Sequence, residues 1–147
     1  MKNKHILYSL ILSFMGFLLA TYLTIMHFRH IIPPCSATGS CEQVLTSKFA
    51  TIGPVPLALL GSLFYLCLMI LCILILTNYR KLFVNFFYEV AAVGFLVSMI
   101  LILIQAYVLH AFCQYCLTSE AISTGIMILA YLDFRERKIN KSEFPQG

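Results

Sequence analysis

Two cysteines stand three residues apart in Phe112-Cys113-Gln114-Tyr115-Cys116-Leu117, where a short turn leads into an apolar stretch. A thiol at a helix N-terminus feels the positive end of the helix dipole and nearby unpaired N–H groups, which favour the thiolate. Three residues apart in a helical turn, the two sulfurs share a face and can close a small disulfide ring. The pattern therefore fits thiol–disulfide redox chemistry, and it also fits a structural disulfide or a pair of inert buried thiols. A second pair, Cys35-x5-Cys41, lies in the longest polar stretch, and Cys67 and Cys72 lie within an apolar run.

The elements that must position these residues are membrane helices. Of the 147 residues, 61% are hydrophobic and 11% charged, against roughly 25% charged in soluble domains. The net charge of +4 does not indicate nucleic acid, because no basic stretch is interleaved with aromatics and the positive residues flank apolar runs. About 20 apolar residues span a bilayer, and four spans are expected, over about 6–28, 56–76, 87–109 and 113–132. The first is not a signal peptide: it exceeds the roughly 7–15 residues of a signal core, and Arg29-His30 follow without a small-x-small cleavage site. Its Ser9, Ser13, Gly16, Ala20 and Thr24 make a small-residue stripe that lets another helix approach closely. Pro33-Pro34 stops any helix, and Glu42 to Phe49 suits a short amphipathic helix lying over the membrane surface as a lid. Cys67 and Cys72, five residues apart on a helix, point in different directions and read as core residues. The fold class is all-α integral membrane, a four-transmembrane-helix bundle with a short amphipathic helix in the first outward loop. The residues after Leu132 read as a frayed, charged tail.

Lys and Arg mark the cytoplasmic side. Lys2, Lys4, Arg80, Lys81, Arg135, Arg137, Lys138 and Lys141 gather on one side and only Arg29 and Lys48 on the other. Both termini are thus expected in the cytoplasm, with Cys35, Cys41, Cys113 and Cys116 on the opposite, oxidising face. Two outward cysteine pairs admit three readings. They could brace loops. They could hold a metal, although their spacing matches zinc sites only loosely. Or they could form a relay, in which a mobile loop pair exchanges electrons with a soluble thiol protein and the helix-end pair hands them to a lipid-soluble quinone.

The residues Cys35-x5-Cys41, Glu42-x-Val44, Ser47, Gly53-Pro54-Val55-Pro56, Leu60-Gly61-x3-Tyr65 and Cys113-x-Tyr115-Cys116-Leu117 resemble the vitamin K epoxide reductase family over essentially the whole chain. The bacterial members are the most similar. The order of the pairs separates the chain from DsbB-type oxidases, whose C-x-x-C lies in the first outward loop. The resemblance implies a single membrane domain over 1–147 in the bacterial inner membrane. It implies catalytic roles for Cys113, Cys116, Cys35 and Cys41, with Cys116 facing menaquinone or ubiquinone, Cys35 meeting the partner and Cys41 passing electrons to Cys113. Ser47 matches a small polar residue near the family's active site. The partner implied is a separate thioredoxin-fold (DsbA-like) protein, since no fused thioredoxin-like domain is expected. Vertebrate members carry Asn and Tyr, thought to bond the substrate oxygen, where this sequence has Leu57 and Glu120; the departures point to quinone rather than epoxide.

Glu120, one turn below Cys116 on the same face, is either a proton carrier or hydrogen-bond partner for the quinone oxygen, or a carboxylate reaching water or a neighbouring hydroxyl. Phe112, Tyr115 and Tyr107 are candidates to line a flat quinone slot, His110 to tune the thiols, and Gln105 to bond another helix.

Overall fold

A computed structural model describes residues 4–34, 40–78 and 80–143. Helix α1 (Lys4–Phe28) is followed by a short α2 (Ser40–Leu45), a two-residue strand pair β1 (Thr51–Ile52) and β2 (Val55–Pro56), and then α3 (Leu57–Thr77), α4 (Lys81–Leu103) and α5 (Gln114–Glu143). The last turns of α4 widen into a π-helical segment, Ile104–Leu109. Among the described residues, four stretches are long and apolar enough to cross a membrane: Lys4–Phe28, Leu57–Thr77, Lys81–Leu109 and Gln114–Ile139.

The expected spans are all present, and their ends differ. The third starts at Lys81, six residues earlier than expected, because Val84, Phe87 and Ala91 already supply its buried face at helical spacing. The fourth does not fray after Leu132. It continues because its charges find partners: Arg137 bonds the buried Asp133 one turn back, and Glu136 bonds His5 of α1 at 3.2 Å. The amphipathic helix is shorter than expected, ending at Leu45, and residues 46–50 form turns that lead into the antiparallel β1–β2 pair.

Helix α1 ends without glycine. His30 takes a left-handed φ of 53°, and the N–H groups of His30 and Ile31 bond the carbonyls of His27 and Met26. That is a Schellman closure, which satisfies the last carbonyls of the helix.

The core is the seam where α1 packs against α3 and α5, with α4 closing the bundle. Ile6, Ala20, Tyr65, Leu68, Cys72, Phe87 and Ile126 are buried in it, and Cys67 packs against it, so both inner cysteines are core residues as expected. The small-residue stripe of α1 is buried along its length. At Gly16 the absence of a side chain admits the ring of Tyr65, since a Cβ there would lie 2.5 Å from its Cε1. The ring cannot swing away, because the Tyr65 hydroxyl donates to the Ser119 carbonyl of α5 at 2.7 Å.

This contact predicts that Gly16→Ala lowers the unfolding free energy by about 1–3 kcal/mol, the usual cost of overpacking. Gly61→Ala, whose added Cβ meets only the Ala20 methyl at 3.7 Å, should change it little. Unfolding of both variants in mixed micelles checks this, and equal effects would refute the Tyr65 argument.

Candidate functional site

The turn between α4 and α5 brings the cysteines together. His110 adopts a left-handed φ of 47°, and the N–H groups of His110 and Ala111 both bond the Gln105 carbonyl, so the chain reverses within three residues. Cys113 is the residue before the first turn of α5. Its carbonyl accepts the Leu117 N–H at 2.9 Å, and its Sγ accepts the Cys116 N–H at 3.3 Å, so the sulfur itself caps the helix. Cys113 and Cys116 are both free thiols. The Cys113 thiol is pulled down from its ordinary value of 9.0 to about 7, chiefly by the hydrogen bond from the Cys116 side chain, assisted by the backbone N–H groups and opposed by burial.

The two sulfurs face different surroundings. Cys113 is fully buried in a small cluster with Cys41, Val44 and Ala111, against which Leu45, Leu109, Tyr115 and Cys116 pack. Helix α2 is fixed over this turn by Gln43, whose side-chain amide donates to the Leu109 carbonyl. Cys41 is disulfide-bonded. Cys35, the other expected site cysteine, lies outside the described residues.

Cys116 instead lines a mainly apolar cavity of about 410 Å³. Leu23 and His27 of α1, Val44, Ser47 and Phe49 of the α2 region, Leu57 and Gly61 of α3, Val97 and Ser98 of α4, and Ser119, Glu120 and Ser123 of α5 also contribute to it. A cavity of this size and character suits a flat, apolar ligand with a few polar atoms.

Glu120 is 4% exposed, and its carboxyl is tied to the cysteine turn by one side chain. The Gln105 carboxamide oxygen accepts the Cys113 N–H at 3.1 Å, and its nitrogen donates to Oε1 of Glu120 at 2.8 Å. The other carboxyl oxygen, Oε2, has no hydrogen-bond partner among the described residues. Gln105 lies in the π-helical segment, whose wider turn is a common device at functional sites. Its bond to another helix was expected from sequence, but the π turn was not, since no residue type signals it.

Of the expected cavity residues, Cys116, Glu120, Leu57 and Ser47 line the cavity; the Ser47 hydroxyl already donates to the Val44 carbonyl at 2.7 Å. The aromatic candidates do not. Phe112 precedes the helix and is half exposed, and Tyr107 is 75% exposed on the outer side of α4. Tyr115, rotated about 100° from Cys116 by the helical step, turns to Tyr22 and donates to the Pro34 carbonyl at 2.9 Å. His110 is exposed. Among the described residues no cluster of His, Cys, Asp and Glu could hold a metal ion.

The family model of the vitamin K epoxide reductase family matches residues 7–131, most of the chain. The chain belongs to the vitamin K epoxide reductase family. Vitamin K epoxide reductase family proteins are helical membrane oxidoreductases whose chemistry is linked to disulfides and quinones. No curated protein matches the chain.

The lowered Cys113 value has a sign that can be checked. The thiolate is favoured by the fold, so its contribution to stability is complete above pH 9, the ordinary value, and is lost as pH falls through about 7. Ultraviolet thiolate absorbance of the reduced protein, taken as the difference from Cys113→Ser, should titrate near pH 7 and move up by about a unit or more in Cys116→Ala. A midpoint near 9 in the unsubstituted protein would contradict the assigned hydrogen bond.

Proposed function

We propose that the protein is a thiol:quinone oxidoreductase that reoxidises a thioredoxin-fold (DsbA-like) protein outside the cytoplasm and passes the electrons to a membrane quinone, supporting disulfide formation. The carrying observation is the division between the two sulfurs. Cys113 packs with Cys41, while Cys116 lines the apolar cavity. This is the order a relay requires, with one sulfur toward the donor pair and the next toward the acceptor.

In this reading the partner's thiolate attacks the Cys35–Cys41 disulfide at Cys35. The partner closes its own disulfide and leaves Cys35 and Cys41 reduced. Cys41 attacks Cys113 of an oxidised Cys113–Cys116 pair and releases Cys116. Cys35 then re-forms its bond with Cys41 and frees Cys113 as the thiolate its hydrogen bonds favour. Cys113 and Cys116 close their disulfide again, and two electrons and two protons reduce the quinone to quinol. The cavity residues hold the ring against Cys116 and exclude water; the redox chemistry belongs to the quinone. The positive residues on the side of the termini support a cytoplasmic location for both ends, in the inner membrane of a bacterium. A loop-bracing role fits less well, since it gives no reason for the Cys116 side chain to line an apolar cavity or for Cys113 to pack with Cys41.

With a reduced thioredoxin-fold protein as donor and a soluble quinone, wild-type protein in detergent should bleach the quinone, and Cys116→Ser should fall to the uncatalysed background. Cys41→Ser should stop the protein-driven reaction and be rescued by a small dithiol that reduces Cys113–Cys116 directly. Quinone loss that persists in Cys116→Ser would refute the assignment of that sulfur.

A further inference from the structure

Among the described residues, Ser123 Oγ and Glu120 Oε2 are buried oxygens without a hydrogen-bond partner, and both residues line the cavity that Cys116 lines. Each residue is 4% exposed. A buried hydroxyl in a membrane helix ordinarily donates to a carbonyl three or four residues back. Thr24, Ser62, Thr77, Thr118 and Thr124 all do so. Ser123 does not, and its neighbours show why.

The two carbonyls within its reach are those of Ser119 and Glu120, and each has two lone pairs. Inside α5 one lone pair of each goes to the helix's own N–H, four residues on. The second at Ser119 takes the Tyr65 hydroxyl at 2.7 Å, and the second at Glu120 takes the Thr124 hydroxyl at 2.9 Å. Tyr65 and Thr124 thereby deny Ser123 both internal acceptors, and its hydroxyl is left for a ligand in the cavity.

Gln105 leaves one oxygen of Glu120 in the same condition. Because a backbone N–H only donates, the Cys113 N–H fixes the Gln105 oxygen toward itself and the Gln105 NH2 toward Oε1 of Glu120. Oε1 is thereby an acceptor, and the proton of the acid form sits on Oε2. Residues three apart on a helix have Cβ atoms roughly 5–6 Å apart. One ligand oxygen placed between Oε2 and Ser123 Oγ can therefore accept from both at ordinary hydrogen-bond lengths. Along the axis of α5, Cys116 lies about 6 Å from Glu120 and about 10 Å from Ser123, an interval that takes a single flat ring. Leu57 and Gly61 of α3 and Val97 of α4 supply apolar walls to the same cavity.

We propose that Ser123 and Glu120 bracket one carbonyl oxygen of the quinone, with the opposite edge of the ring toward Cys116, and that Thr124 is a positioning residue that keeps Ser123 free to do so. The proposal rests on the quinone-reducing reading above and deepens it by saying how the ring is held. The sulfurs lose two electrons in closing their S–S bond, and the quinone takes these with the two protons the dithiol gives up. As electrons enter the ring, the bracketed oxygen gains negative charge, which two aimed donors stabilise.

The affinity of the oxidised, full-length protein in detergent for a soluble short-tailed quinone tests this without turnover. Ser123→Ala should raise Kd about tenfold, the loss of one buried hydrogen bond. Thr124→Val keeps the shape of the side chain and frees the Glu120 carbonyl. It should let Ser123 turn back to its own helix and raise Kd several-fold, although Thr124 is not among the residues that line the cavity. The double variant should bind no more weakly than Ser123→Ala alone, because the second change acts only through Ser123. Infrared spectra of bound, carbonyl-labelled quinone give a second readout. One carbonyl band should be lowered by hydrogen bonding in the wild type and should move part of the way back in each single variant. An unchanged Kd and carbonyl band in Ser123→Ala, or additive losses in the double variant, would overturn the proposal and leave the quinone reading standing. No quinone binding by folded wild-type protein would overturn both.

Discussion

One glutamine side chain holds the site together. Gln105 takes the Cys113 N–H on its oxygen and gives its own N–H to Glu120, so the turn that carries the first sulfur and the helix that carries the second are tied through α4. All three groups are buried, where an unmade hydrogen bond costs about 1–3 kcal/mol. The bond therefore sets orientation as well as stability. The π-helical turn that carries Gln105 and the left-handed His110 that follows it bring the chain back within bonding distance. A straight α-helix through the same residues would turn Gln105 elsewhere.

Around that anchor, the bundle separates two environments for two chemically identical thiols. Cys113 is enclosed with Cys41 under α2, and its sulfur serves as the acceptor that caps α5. Cys116, one turn along, faces a cavity with few polar groups. The two sulfurs adjoin, as residues three apart do; what differs is that Cys113 lies before α5, in the cluster under α2, while Cys116 lies one turn in, where the cavity opens. Close packing keeps it so. Tyr65 reaches between Gly16 and Ser119, which joins α1, α3 and α5 beneath the cavity.

Much of this was legible in the sequence because the bilayer makes composition decisive. Runs of apolar residues give four helices with little ambiguity, and Pro33-Pro34, the Gly53-Pro54-Val55-Pro56 turn and the C-x-x-C gave their own punctuation. Cys116, Glu120, Ser47 and Leu57 lie around one cavity because helical spacing from Cys116, and the resemblance in the α2 loop, carried positional information. The aromatic slot failed for a physical reason. Phe112, Tyr115 and Tyr107 are close to the cysteines in sequence, but Phe112 lies half exposed in the turn before α5, and helix rotation turns Tyr107 to the surface and Tyr115 to α1. Helix ends were misjudged where tertiary partners extend them: Asp133 and Arg137, or Glu136 and His5, are pairs that composition alone reads as a solvated tail.

The account stands or falls on whether electrons pass from the Cys113–Cys116 pair to a quinone in the cavity. A single-turnover experiment tests this without any partner. Protein reduced with a small dithiol, freed of excess reductant and mixed anaerobically with quinone should form quinol in step with closure of a Cys113–Cys116 disulfide, identified by mass spectrometry of the peptide that holds both. Cys116→Ser should form none. Quinol without that disulfide, or the disulfide without quinol, would contradict the account.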